Sequence, residues 1–110
     1  MVKYKKGDII EVDFNPTLGR EQAGYGPALV ISNESFNSRT GMLIILPISQ
    51  SDNGYPLHVA LDQELETKGF VLCEHLKSMD AKTRKIKQVE VVTKDFMNKI
   101  SKYIHAILWY

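Results

Sequence analysis

The segment Asp8 to Phe14, "DIIEVDF", restricts the fold most. Its residues alternate, with Ile10, Val12 and Phe14 on one face and Ile9, Glu11 and Asp13 on the other. That is the period of a half-buried strand, not of a helix. The runs "PALVIS", "GMLIILPIS" and "GFVLCEHL" are continuously apolar, as suits strands covered on both sides, and "PLHVALD" alternates again. Five strands are therefore predicted, with "KQVEVV" as a weaker sixth. The intervening "NPTLG", "SNESFNSRTG" and "SDNGYP" are rich in turn formers. Short antiparallel strands joined by turns imply a small barrel or sandwich.

The period changes near the end of the chain. From Asp95 onward, Phe96, Met97, Ile100, Ile104, Ile107 and Leu108 recur at helical spacing. Thr93 is a suitable N-cap, and Asp95 lies in the first turn, where the helix dipole favours an acid. A helix of ~15 residues is ~22 Å long, enough to close one side of a small barrel. Lys94, Lys99 and Lys102 fall on its polar side.

With 110 residues, 44% of them hydrophobic, the chain has material for one core, so residues 1–110 are expected to form a single domain. The longest apolar run, around Met42 to Leu46, is much shorter than a membrane span. The start "MVKYKKGDII" lacks a signal peptide's apolar core. A cytoplasmic location is expected. Cys73 is the only cysteine and sits in an apolar run, where a buried structural thiol is expected.

Net charge is only +1, but it is unevenly spread: Lys77, Lys82, Arg84, Lys85 and Lys87 crowd a segment whose one acid is Asp80. Such a segment is either a solvated loop or a phosphate-binding patch. His58, His75 and His105 are separated from one another and from other ligands at metal-binding spacing. No metal and no cofactor are expected. Dinucleotide, Walker and serine or thiol hydrolase signatures are missing.

What remains is the loop "GREQ", Gly19 to Gln22, and the hydroxyls of "LPISQS" at a strand end. Metal-free RNA cleavage can use such groups. A base takes the ribose hydroxyl proton, a cation or donor stabilises the phosphorane, and an acid protonates the leaving oxygen. Glu21, Arg20 and Ser49 suit these tasks, although a loop Glu beside an Arg is usually a solvated surface pair.

The succession "GDIIEVDFNPTLGREQAGYGPALVIS", "FNSRTGMLIILPIS", "GYP" and "GFVLCEHLKSMD" resembles the MazF/PemK toxins of bacterial toxin–antitoxin systems. The family pattern is a G-D strand, a G-x-E-Q-x-G-x-R-P loop, a P-[IV]-T strand end and a Q-x-[KR]-x-[IML]-D segment. The likeness spans nearly the whole chain in the right order. It implies a mainly β fold with a C-terminal helix, an SH3-like barrel of the CcdB/MazF/PemK type. It also implies a homodimer and a sequence-specific, metal-independent endoribonuclease that cuts single-stranded mRNA and is neutralised by a MazE/PemI-like antitoxin.

By the same resemblance, Glu21 and Ser49 occupy catalytic positions, Ser49 standing for threonine. Gly26 stands where the family carries a catalytic arginine, just before Pro27. Arg20, Gln22, Tyr25, Lys77 and Ser78 are the implied RNA-binding residues, with Lys82 and Arg84 as further phosphate contacts. Tyr25 is expected to stack on unpaired bases, and Phe36 either stacks or packs at the rim. His75 replaces a frequent glutamine. Loss of a transition-state donor typically costs ~10²- to 10³-fold in rate, so Gly26 implies weak or lost cleavage. A disabled form of an arginine-bearing toxin and a natural relative acting by RNA or antitoxin binding both account for the glycine. The similarly folded CcdB toxins, which bind DNA gyrase, are a third possibility that the "GREQAG" loop disfavours.

Overall fold

The computed structural model describes residues 3–15, 19, 24–51 and 54–109. Seven strands and two α-helices follow in the order β1 (Asp8–Asp13), β2 (Tyr25–Val30), α1 (Glu34–Thr40), β3 (Met42–Ser49), β4 (His58–Ala60), β5 (Phe70–Leu72), β6 (Lys77–Asp80), β7 (Ile86–Val91) and α2 (Lys94–Trp109). All pairings are antiparallel, in the order β4-β5-β3-β2-β1-β7, with β6 also on β3.

The alternation read in β1 holds. Ile10, Val12 and Phe14 enter one apolar cluster with Ala28, Val30 and Ile45, while Ile9 enters another with Leu29, Leu46 and Ile48. Side chains on opposite faces of β1, β2 and β3 thus feed separate cores. This explains why β2 and β3 read as continuous apolar runs. α2 seals the Ile9 side through Phe96 and Ile100, and the Thr93 hydroxyl caps it by accepting from the Phe96 amide at 3.1 Å. Lys94, Lys99 and Lys102 are exposed as expected. Leu108 departs from the helical prediction: it is 56% exposed, beside an exposed Trp109.

Two segments differ from the sequence-based expectation. "SNESFNSRTG", expected as turn, contains α1. The Asn33 side chain accepts from the Phe36 amide at its start, and Gly41 ends it with φ +74°. A cap at each end suffices for this short helix. "GFVLCEHL", expected as one strand, divides into β5, a 3-10 turn at Cys73–His75 and the start of β6. The reason is registry. Val71 faces Ile48 and Lys77 faces Ile45, so the chain carries surplus residues along this edge of β3 and loops them out. The weaker "KQVEVV" prediction is realised as β7, which completes the sheet beyond β1.

Cys73 is fully buried, as expected. Desolvation, reinforced by the Glu74 charge, pushes its thiol up to about 12. The residue is therefore inert packing, not a nucleophile.

Candidate functional site

A cleft of about 510 Å³ opens where the start of β2 meets the end of β3, lined by Tyr25, Gly26, Pro27, Ile48, Ser49 and Gln50. Glu11, Val89 and the segment Glu66, Thr67 and Lys68 complete its wall. The β2–β3 pairing, Ala28 against Pro47, draws Gly26 and Ser49 to the same edge although they are distant in sequence. Tyr25, 55% exposed, also borders a second cleft of about 640 Å³ formed with Asp13, Asn15, Thr83, Arg84 and Lys85. An exposed ring between two concavities is the arrangement that base stacking requires.

Gly26 does not mark a turn. It lies within β2, paired with Val12, and is not among the glycines with positive φ. Among the described residues, a β-carbon there would meet only the Phe14 ring, at 3.8 Å, an ordinary contact. The backbone therefore does not demand glycine at this position.

Ser49 ends β3 opposite Phe70, and its Oγ accepts from the Ser51 amide at 3.1 Å. The hydroxyl proton remains available to a ligand. Behind it, Gly69 has φ +125°, and a β-carbon there would come within 2.9 Å of the Ser49 carbonyl carbon and closer still to its oxygen. Only glycine allows this approach. The neighbouring wall is fastened by Glu90, whose carboxylate accepts from the Thr67 amide (2.7 Å), the Thr67 hydroxyl (2.6 Å) and the Glu66 amide (3.1 Å). Desolvation alone would raise the Glu90 carboxyl, but these bonds and the nearby Lys68 charge outweigh it and hold the group below its ordinary value. Lys68 donates from Nζ to the carbonyls of Gln63 (2.9 Å) and Leu65 (2.7 Å).

Arg20, Glu21 and Gln22 lie outside the described residues. Hydrogen bonds hold the neck of the loop between β1 and β2. The Phe14 amide donates to the Gly24 carbonyl at 2.9 Å, and the Asn15 amide to Asp13 Oδ1 at 3.0 Å. Arg84 Nη1 donates to the carbonyls of Asp13 (2.6 Å) and Asn15 (2.9 Å). Arg84, read from sequence as a phosphate contact, thus places Nη1 on main-chain carbonyls at this neck, while its Nε is buried without a hydrogen-bond partner among the described residues. Lys77 and Ser78 lie on β6, which pairs with the first half of β3, away from the Ser49 cleft. Lys77 Nζ approaches the Phe14 carbonyl at 3.5 Å, so it too faces the neck. Lys82 is exposed, and Phe36 sits on α1, outside the cleft lining.

The histidines are less isolated than the sequence implied. His58 Nε2 meets Glu74 Oε2 at 2.6 Å, and His75 Nε2 approaches the same oxygen at 3.6 Å. The 3-10 turn folds Glu74 back against β4, a long-range juxtaposition that spacing cannot reveal. No group of three metal-binding side chains occurs among the described residues. Among them, no helix is long and apolar enough to cross a membrane. Sequence reading also missed Thr67, Lys68, Gly69 and Glu90. "TKGF" signals only a turn before a strand, and its relation to Ser49 arises from the β3–β5 pairing.

Residues 5–108 match the family described as PemK-like, MazF-like toxin of type II toxin-antitoxin system. The chain is 35% identical over 102 residues to the endoribonuclease toxin MazF of Escherichia coli, covering 93% of this chain and 91% of that protein. The crystal structure of MazF from Deinococcus radiodurans superposes with a TM-score of 0.92 at 30% identity, covering 100% of this chain and 99% of that one. A MazE-MazF structure from the same organism gives a TM-score of 0.84 at 27% identity, with coverage of 99% and 97%.

Proposed function

Because the chain belongs to the PemK-like, MazF-like toxins of type II toxin–antitoxin systems, we propose that it is a metal-independent, sequence-specific endoribonuclease. It cuts single-stranded mRNA in the cytoplasm at the Ser49 cleft, with a rate reduced by Gly26. The observation that carries this reading is the convergence of Tyr25, Gly26 and Ser49 on one cleft. Tyr25 stacks on an unpaired base, and the Ser49 hydroxyl donates to a phosphate oxygen. Glu21 is the base that takes the ribose hydroxyl proton. Arg20, Gln22, Lys77 and Ser78 hold the strand to either side.

The chain acts as a homodimer restrained by a MazE/PemI-like antitoxin. Support for that partner comes from the MazE-MazF assemblies of the Deinococcus radiodurans relative. The test is cleavage of a long unstructured RNA by this chain and by Gly26→Arg. Position 26 accepts a β-carbon at ordinary contact distance from the Phe14 ring, and restoring a transition-state donor is expected to raise the rate by about 10²-fold or more. Equal rates would refute the role given to position 26, and no cleavage by either protein would refute the enzymatic reading.

A further inference from the structure

The geometry points to Lys68 as a catalytic residue, the cation that meets the scissile phosphate in the Ser49 cleft. The inference rests on the endoribonuclease reading above. Cleavage of an RNA strand accumulates negative charge on the non-bridging phosphate oxygens, and a cation fixed beforehand in the cleft stabilises it most. Among the described residues lining the cleft, three bear charge, Glu11, Glu66 and Lys68, and Lys68 alone is positive. Arg84 and Lys77 are not among the residues that line this cleft; both reach carbonyls at the neck of the neighbouring loop.

Lys68 is also held in place. Directly after it, Gly69 packs against the Ser49 main chain so closely that no β-carbon fits, which holds the backbone next to Lys68 against that of Ser49. Directly before it, Thr67 is fastened to Glu90 by two hydrogen bonds of 2.7 and 2.6 Å. The ammonium group gives hydrogen bonds to two neutral carbonyls, those of Gln63 and Leu65. A lysine has three N–H donors, so one donor and the full charge are left for a phosphate oxygen. Nothing in the sequence around "ETKGF" suggests this role. It follows from the pairing of Ser49 with Phe70.

In the reaction the ribose 2′ oxygen attacks phosphorus. The new O–P bond forms as the bond from phosphorus to the 5′ oxygen breaks. The carboxylate assigned to Glu21 takes the 2′ proton, and water gives a proton to the departing 5′ oxygen. The products are a 2′,3′-cyclic phosphate and a 5′ hydroxyl. Lys68 transfers no proton; it neutralises the non-bridging oxygens.

The test is single-turnover cleavage of a long unstructured RNA by the unmodified chain, Lys68→Arg, Lys68→Gln, Gly26→Arg and the double variant Lys68→Gln/Gly26→Arg. Binding of a non-cleavable 2′-deoxy analogue is measured alongside. Glutamine can still donate to the Gln63 and Leu65 carbonyls but carries no charge, so it separates the charge from the loop contact. Lys68→Gln is expected to lower the rate by ~10²-fold, with binding of the analogue changed far less. Lys68→Arg should retain most of the rate, and Gly26→Arg should restore cleavage in the Lys68→Gln background. The proposal is overturned if Lys68→Gln cleaves as fast as the unmodified chain, or if rate and binding fall together. If Gly26→Arg cuts and the unmodified chain does not, Lys68 is refuted while the endoribonuclease reading stands. If neither cuts, both fail.

Discussion

Replacing Gly69 by alanine tests the close approach behind Ser49. The φ of +125° is a conformation that residues with a β-carbon rarely adopt, and the added carbon would press on the Ser49 carbonyl and approach Gln50 Cα within 3.2 Å. A residue held in a sparsely populated backbone region costs of order 1–3 kcal/mol. The overlap is with backbone, which a side-chain rotation cannot relieve, so a total of about 3 kcal/mol is expected. For a domain of this size that lowers the melting temperature by about 10 °C. Urea and thermal unfolding followed by circular dichroism measure it. Gly54→Ala serves as the control, because Gly54 has φ +74° but nothing within 4 Å of its β-carbon site. It reports the milder penalty of a left-handed backbone without the overlap, expected at about 1 kcal/mol. Were Gly69→Ala to lose no more stability than Gly54→Ala, the contact would not be the constraint described. A stable Gly69→Ala protein with unaltered cleavage would likewise separate Gly69 from the placement of Ser49.

Two further outcomes follow from the shifted groups. Glu90 titrates below its ordinary value of 4.5 in the folded protein, so its contribution is complete above that pH and disappears as the pH falls through the lowered folded value. Urea midpoints at pH 6 and in the acid limb should therefore fall less steeply for Glu90→Gln than for the unmodified protein; parallel losses would exclude the Glu90 clasp as the cause. Cys73 titrates at about 12 when folded against an ordinary 9.0, so stability should decline as the pH rises from the lower value toward the higher. At pH 8 the native thiol should resist iodoacetamide for hours and react within minutes in denaturant, and fast native alkylation would contradict its burial.

Most of the fold was legible because its signals are local. The β1 alternation, the apolar runs of β2 and β3 and the helical spacing after Asp95 each declare which face a residue buries. The errors arose where distant pairing overrode the local pattern. An apolar run such as "GFVLCEHL" looks like one strand, yet β3 receives β5 and β6 in different registers, and the chain between them must fold out. α1 was hidden by a polar, turn-rich composition, and only its Asn33 and Gly41 caps identify it in retrospect.

The sequence by itself determined the family, through the ordered motifs around Gly19–Pro27 and Pro47–Ser49, and with it the strands that carry the site. It also exposed Gly26 as a departure from the family pattern. The tertiary structure decided what that departure means physically: position 26 is extended strand that accepts a β-carbon, so its glycine is not a turn requirement. It likewise set Arg84 Nη1 on two carbonyls at the neck of the β1–β2 loop and brought Lys68 to the Ser49 cleft. Such assignments depend on which carbonyls and hydroxyls strand pairing brings within reach. Hydrogen bonds act over about 3 Å, and no spacing along the chain encodes a distance that only the folded sheet creates.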